Sequence, residues 1–391
     1  MTAAGAQRAR GAASIETMLE GKSICICAGS GGVGKTTTSA AIAAGMAARG
    51  KRVAVLTIDP AKRLADSLGL PELGNTERRV DPALFTEAGI DPGDGELWAM
   101  MLDAKATFDE VVRKHAPDEE TRERILENRI YRQISNALAG SQEYMAMEKL
   151  FEIHSEGRYD LLILDTPPSR NALDFLDAPR RLTQFIEGRS LQLFIRPTGL
   201  GMRVLGRGTS VIFSVLKRVT GMDLIEDLSE FFNAMSGMVG GFRERAKRVN
   251  ELLADPASTF LVVCGPAGEP INEAVYFRRK LREAELPFGG VIVNKVHTDG
   301  AGDAGRGGPA DVGSLERLLG ARDLATRVAA NYEDYRALAE RDAANIAKLG
   351  RQMRASAVIE VPYLSEDVHD LGGLFAINAH LFGGDPGPTG T

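Results

Sequence analysis

The 391-residue sequence is poor in cysteine, with three in all, Cys25, Cys27 and Cys264. Each falls inside an apolar run, and their spacing fits neither a zinc site nor a disulfide framework. All three therefore read as reduced core residues of a cytoplasmic protein. No stretch reaches the roughly 18 continuous apolar residues that a membrane-spanning helix needs, so any membrane role is expected to be peripheral and to run through a partner. The first residues carry Arg8 and Arg10 but lack the apolar centre of a signal peptide. An excess of positive charge is missing as well. The 47 Lys and Arg stand against 53 Asp and Glu, a net −6, which argues against a general nucleic-acid coat. What is present, 44% hydrophobic and 26% charged residues, is the balance of an ordinary globular chain.

The chain is organised around one glycine-rich turn, Gly29-Ser30-Gly31-Gly32-Val33-Gly34-Lys35-Thr36-Thr37. The apolar run Ser23 to Ala28 before it reads as a buried strand, and Ser39 to Ala44 after it reads as the start of a helix. A phosphate-binding loop needs glycines so that successive backbone N–H groups can point at the anion, and a helix N-terminus for its partial positive charge. In that context Lys35 is placed to reach the β- and γ-phosphates and the Thr36 hydroxyl to take a place on Mg²⁺.

Further apolar runs end in chemically capable residues. Arg52 to Ile58 leads into Asp59-Pro60-Ala61, where Asp59 either orients the water that attacks a γ-phosphate or caps a helix from Ala61 to Leu68. Leu161 to Leu164 leads into Asp165-Thr166-Pro167-Pro168, the form of a Mg²⁺-associated strand followed by a stiff turn that could respond to the γ-phosphate. Thr259 to Cys264, Gly290 to Lys295 and Ala357 to Val361 complete the strand pattern. Asn294 at one strand end could meet a purine edge or merely satisfy a turn.

Between these runs the pattern turns helical. From Leu97, Phe108, Val111 and Val112 recur at helical spacing, then Leu126, Ile130, Ile134 and Leu138, then Met147, Leu150 and Phe151. His115 and His154 at the ends of these helices read as solvated or capping residues. From Leu182 to Leu253, methionine and glycine accompany Phe213, Phe231 and Phe232, which suits either a pliant apolar surface or the core of a helical subdomain. Thr298 to Gly313 reads as a glycine-rich loop, and about Leu315 to Met353 as a long helical stretch.

The predicted fold is α/β, a mostly parallel, doubly wound sheet of the P-loop NTPase kind with an inserted α-helical subdomain. Residues 1–21 are expected to be disordered and 384–391 a loose tail. Residues 22–383 are expected to form one domain, with a nucleotide core at 22–96, 155–182 and 256–383 and helices at 97–154 and 183–255.

Taken together, the loop, Thr57 to Ala61, Leu164 to Pro168, Val293-Asn294-Lys295 and Val361-Pro362-Tyr363-Leu364 occur in the order seen in ArsA-type ATPases. That group includes the arsenite-pump ATPase subunit and the ATPase that escorts tail-anchored membrane proteins, and the resemblance runs from about Lys22 to Leu381. It implies a Mg²⁺-dependent ATPase, a homodimer or a heterodimer with a paralogous ATPase, whose closing on ATP reshapes its helices around an apolar client or membrane protein. It also implies Gly31, Gly32, Val33, Gly34, Lys35, Thr36 and Thr37 around the phosphates, with Asn294 and Pro362 in the nucleotide set and Asn294 on the adenine. Asp59 and Lys35 are implied in catalysis, and Thr36, Asp59 and Asp165 at Mg²⁺.

Three departures bound the resemblance. Ser30 stands where the family loop carries a second lysine that reaches the partner's nucleotide, so either Lys62 or Arg63 substitutes or a paralogous partner keeps that lysine. No Cys-x-x-Cys pair is present for a zinc bridge. The cysteines lie in predicted strands, not in the helical region where arsenite would need thiolates. Two further functions are weighed: the ATPase subunit of an anion or metalloid exporter, and a positioning ATPase of the ParA/MinD sort. The latter is disfavoured because Leu371 to Gly383 has no Lys or Arg for membrane anchoring. The basic cluster Arg243, Arg245, Lys247 and Arg248 is the one candidate for DNA contact, and a solvated helix face explains it better.

Overall fold

The computed structural model describes residues 14–59, 62–129, 131, 142–166, 234, 238–298, 311–353 and 357–383. The strands are β1 (Ile24–Ala28), β2 (Arg52–Thr57), β3 (Arg78–Arg79), β4 (Glu96–Met101), β5 (Leu161–Asp165), β6 (Ser258–Cys264), β7 (Phe288–Val296) and β8 (Ala357–Pro362), all but the short, exposed β3 built on apolar runs. They make one eight-stranded sheet in the order β3-β4-β2-β5-β1-β6-β7-β8. The pairs β2–β5, β1–β5, β1–β6, β6–β7 and β7–β8 are parallel, and β3–β4 is antiparallel. The fold is thus the mostly parallel α/β sheet that the sequence predicts. Strands β1, β5 and β6 are buried along their whole length, as strands covered on both faces must be, which is why they read as unbroken apolar runs. From β1 the chain steps past β5 to β2, and later crosses back over β1 from β5 to β6, so the winding reverses at β1. At such a reversal the carboxyl ends of the strands open a crevice.

The helices are α1 (Ile15–Leu19), α2 (Lys35–Ala47), α3 (Arg63–Ser67), α4 (Pro82–Glu87), α5 (Ala104–His115), α6 (Glu119–Glu127), α7 (Gln142–Glu156), α8 (Val239–Ala254), α9 (Gly268–Glu283), α10 (Val312–Leu319), α11 (Arg322–Met353) and α12 (Leu371–Leu381). Helix α2 is rich in Ala, and its small residues allow close approach. Gly45 lies directly under the Phe382 ring and the Asn378 amide at the end of α12. The long helical stretch expected near Leu315 is two helices, because Gly320, left-handed at φ 69, ends α10.

The chain divides into two compact units. The first holds the sheet, with described residues from 14–100, 158–166 and 255–383; the second draws on 101–157 and 238–254 and carries α5 to α8. Within the second, Phe108 stacks on Phe242 with centroids 5.8 Å apart, and a buried ion pair joins Arg245 to Glu148 at 2.8 Å. Arg245 therefore faces inward, while exposed Lys247 and Arg248 pair with Glu251 and Glu244 along α8. The basic cluster does not form one free face. The methionine- and glycine-rich stretch up to residue 233, Pro167-Pro168 and most of the glycine-rich loop after Thr298 lie outside the described residues.

Two expectations are corrected. The stretch expected to be disordered through residue 21 contains α1, capped by Ser14, whose Oγ accepts from the Thr17 N–H at 3.3 Å. Ile15, Met18 and Leu19, three and four apart, put one apolar face into the core, and Glu16 pairs with Arg49. Leu97 to Met101, assigned from sequence to the helical subdomain, belong to β4, where Leu97, Ala99 and Met100 are buried. Methionine fits a sheet as readily as a helix, so composition alone misplaced this run.

If α1 is part of the core, Ile15→Ala should lower unfolding free energy by about 2–4 kcal/mol in urea denaturation. An unchanged midpoint would return residues 14–21 to the solvent.

Candidate active site

The turn after β1 connects directly to α2. Gly32 and Gly34 adopt positive φ, 77° and 88°, which glycine alone adopts without strain, and Gly34 is the N-cap of α2 with no side-chain cap. The first N–H groups of α2 are thereby left without a capping side chain, the arrangement that receives an anion. Gly31 and Gly32 are exposed, Val33 and Lys35 are buried, and Gly34, Thr36 and Thr37 are half-buried.

Lys35 begins α2, and its ammonium donates to the Ser30 carbonyl at 2.7 Å. Burial pulls its pKa down, opposed by the charges of Asp165 and Asp59. Thr36 Oγ1, in the first turn of α2, donates to Asp165 Oδ2 at the end of β5 at 2.6 Å. Thr57 Oγ1, at the end of β2, donates to the same oxygen at 2.9 Å and also accepts from the Asp59 N–H at 3.2 Å. One carboxylate thus ties together the start of α2 after the glycine-rich turn and the ends of β2 and β5. Asp165 is fully buried, its Oδ1 has no hydrogen-bond partner among the described residues, and burial raises its pKa to about 6 against the two threonine hydroxyls and Lys35. A dry carboxylate oxygen beside a threonine hydroxyl is a hard-oxygen set suited to Mg²⁺ completed by phosphate oxygens.

Asp59 is not the cap of the helix that follows it, because Lys62 holds that position of α3. On the other side, Asn294 Nδ2 donates to the Val33 carbonyl at 2.9 Å and its Oδ1 accepts from the Lys295 N–H at 3.0 Å. Gly34 sits so close to this amide that any side chain there would overlap it. A cavity of about 610 Å³ opens here, lined by Gly32, Gly34, Thr37, Asn294, Pro362 and Arg63 among others. The Tyr363 N–H donates to the Val296 carbonyl at 2.9 Å and holds Pro362 beside the end of β7.

The structure therefore gathers Lys35, Thr36, Asp59 and Asp165 on one side of the loop, and Asn294 and Pro362 on the other. Of the suggested substitutes for the absent second lysine, Arg63 lines the cavity, whereas Ser30 itself donates its hydroxyl to Glu273 of α9. Sequence reasoning missed Thr57. Its signal was present, since it ends one strand two residues before Asp59, but its value depends on the register that sets it opposite Asp165.

A family model described as anion-transporting ATPase matches residues 22–305. The chain belongs to the ArsA family. Among curated ArsA-like relatives, ATPase get3 of Schizosaccharomyces japonicus is 26% identical over 290 residues, 73% of this chain and 79% of that protein. ATPase GET3A of Arabidopsis thaliana is 24% identical over 291 residues, 73% of this chain and 71% of that protein. Putative arsenical pump-driving ATPase 1 of Aquifex aeolicus is 28% identical over 291 residues, 70% and 63% of the two chains. As an ArsA-family member this chain is an ATP-hydrolysing enzyme, and among its described residues no helix is long and apolar enough to cross a membrane.

The raised pKa of Asp165 fixes a pH signature. Because the folded value lies above the ordinary 3.8, the group's contribution to stability is full below about pH 4 and is lost as pH rises through about 6. The difference corresponds to about 3 kcal/mol at about 1.4 kcal/mol per pH unit. In ligand-free protein, the stability of Asp165→Asn relative to wild type should grow by about that much between pH 4 and pH 7. A flat difference across that range would show the carboxylate to be solvated.

Proposed function

We propose that the chain is an ATP-driven switch in which the crevice at the ends of β1, β2 and β5 binds and hydrolyses Mg²⁺-ATP. The observation that carries this reading is the tie from Thr36 to Asp165, with the second carboxylate oxygen buried and without a hydrogen-bond partner among the described residues. In this reading the loop N–H groups from Gly31 to Thr37 and the Lys35 ammonium hold the phosphates. Thr36 and Asp165 hold Mg²⁺, with Asp59 alongside, and the ion when bound neutralises charge on the phosphate oxygens. Lys35 leaves the Ser30 carbonyl for the phosphate, since an ammonium bonds an anionic oxygen more strongly than a neutral one. Asp59, carried on the Thr57 hydroxyl, accepts a hydrogen bond from the attacking water and aligns it with the γ-phosphorus. Asn294 and Pro362 border the base.

The relatives named get3 and GET3A support a role in which hydrolysis couples to a dimeric partner, a second copy or a paralogue, and to an apolar client engaged by the helical unit. The relative named a putative arsenical pump-driving ATPase supports a second reading, the energising subunit of an exporter. Arsenite itself is not part of that reading, because the three thiols are buried in β1 and β6.

Lys35→Ala should raise the Kd for ATP more than about tenfold. Asp59→Asn should bind ATP within about threefold of wild type while hydrolysis slows by about a hundredfold or more. Equilibrium titration and phosphate release measure the two. ATP-loaded Asp59→Asn should then retain its partner in a pull-down, an apolar helix under the first reading or a transporter under the second. ATP binding by Lys35→Ala at wild-type affinity would remove the phosphate-loop assignment.

A further inference from the structure

Strand β7 carries an irregularity beside the phosphate loop. Its parallel register with β8 runs without break from Gly290 to Val293, then shifts before Val296. Inside that shift lies Lys295 at φ 62, in the left-handed region that disfavours any residue with a side chain. The other non-glycine residue there among those described, Glu285, sits in the turn that ends α9, an ordinary place for it. Lys295 has no helix end to terminate. A bulge of this kind re-aims side chains and is found beside active sites.

What the bulge re-aims is specific. Its first residue, Asn294, points into the protein and braces the Val33 carbonyl; its second, Lys295, points outward and donates from Nζ to the Gly32 carbonyl at 3.3 Å. Asn294 Oδ1 accepts the Lys295 N–H and so fixes the turn between them. Two ammonium groups therefore rest on neutral carbonyls of the same loop, Lys35 on Ser30 and Lys295 on Gly32. Lys295 is exposed and lines the 610 Å³ cavity together with Gly32, Gly34 and Thr37. A surface lysine with a solvation role needs neither a left-handed backbone nor a loop carbonyl as its partner.

We infer that Lys295 is a second phosphate-binding cation, supplied in cis from the β7 bulge, which leaves the Gly32 carbonyl to bond the polyphosphate of the nucleotide. The inference rests on the phosphate-loop reading above and adds a positive charge that the loop itself, with Lys35 alone, does not contain. The left-handed backbone is the means by which the chain turns a strand side chain onto the loop.

Lys295→Gly separates the chemistry from the strain. It removes the ammonium but relaxes the backbone, so the thermal midpoint should equal or exceed that of wild type. Its Kd for ATP should nonetheless rise about tenfold, about 1.4 kcal/mol. Lys295→Arg, which keeps the charge, should bind within about twofold of wild type. The probe is ATP itself in equilibrium titrations of the full chain, with Lys35→Ala alongside. ATP affinity of Lys295→Gly within twofold of wild type, or an arginine variant as weak as the glycine variant, would overturn the inference. If Lys35→Ala loses ATP while Lys295→Gly keeps it, only this inference fails. If Lys35→Ala keeps it, the phosphate-loop reading fails too.

Discussion

The site depends on a carboxylate held away from water. Asp165 sits at the end of a central strand with no solvent access, and the hydroxyls of Thr36 and Thr57 share one of its oxygens while the other has no hydrogen-bond partner among the described residues. An isolated buried carboxylate is costly, and this one has its pKa raised accordingly. Its cost is offset by what it organises, the phosphate loop, the end of β2 and the approach of Asp59 through Thr57. The same electrostatics act on Lys35, whose charge burial disfavours and the two aspartates favour. In the crevice one oxygen of Asp165 has no hydrogen-bond partner among the described residues, and the Lys35 ammonium rests on a neutral carbonyl.

The sheet makes that arrangement inexpensive to build. Parallel strands deliver their carboxyl ends to one edge, and the reversal at β1 leaves space there. Residues distant in sequence meet because they occupy equivalent strand ends: Asp165 stands in register with Cys27 of β1 and with Thr57 of β2. Asn294 reaches the loop from two strands away on the other side. The contact between Gly34 and the Asn294 amide closes that side so tightly that the phosphate loop and the β7 bulge form a single packed unit.

Much of this is legible in the sequence, and the rest is illegible for identifiable reasons. A buried parallel strand has no polar alternation, so β1, β5 and β6 appear as apolar runs, and strand, glycine turn and Lys-Thr in succession identify the loop. Asp165 is visible because it ends such a run. Helix α1 is hidden because three apolar residues in five make too short a period to recognise. Strand β4 is hidden because Leu-Trp-Ala-Met-Met satisfies either a helix or a strand until the neighbouring Arg78–Arg79 pairing is known. Thr57 and Lys295 are hidden for a deeper reason. Their significance lies in register and in a backbone angle, and neither is encoded in the identity of the residue itself.

The close packing of Gly45 against Phe382 and Asn378 also bears on how the chain is made. Helix α2, which begins at Lys35, is synthesised well before the helix that covers it. A nascent chain on the ribosome thus has its loop and first strands before it has the cover for α2. Until Leu371–Leu381 emerges, the apolar back of α2 is exposed to whatever binds unfinished chains.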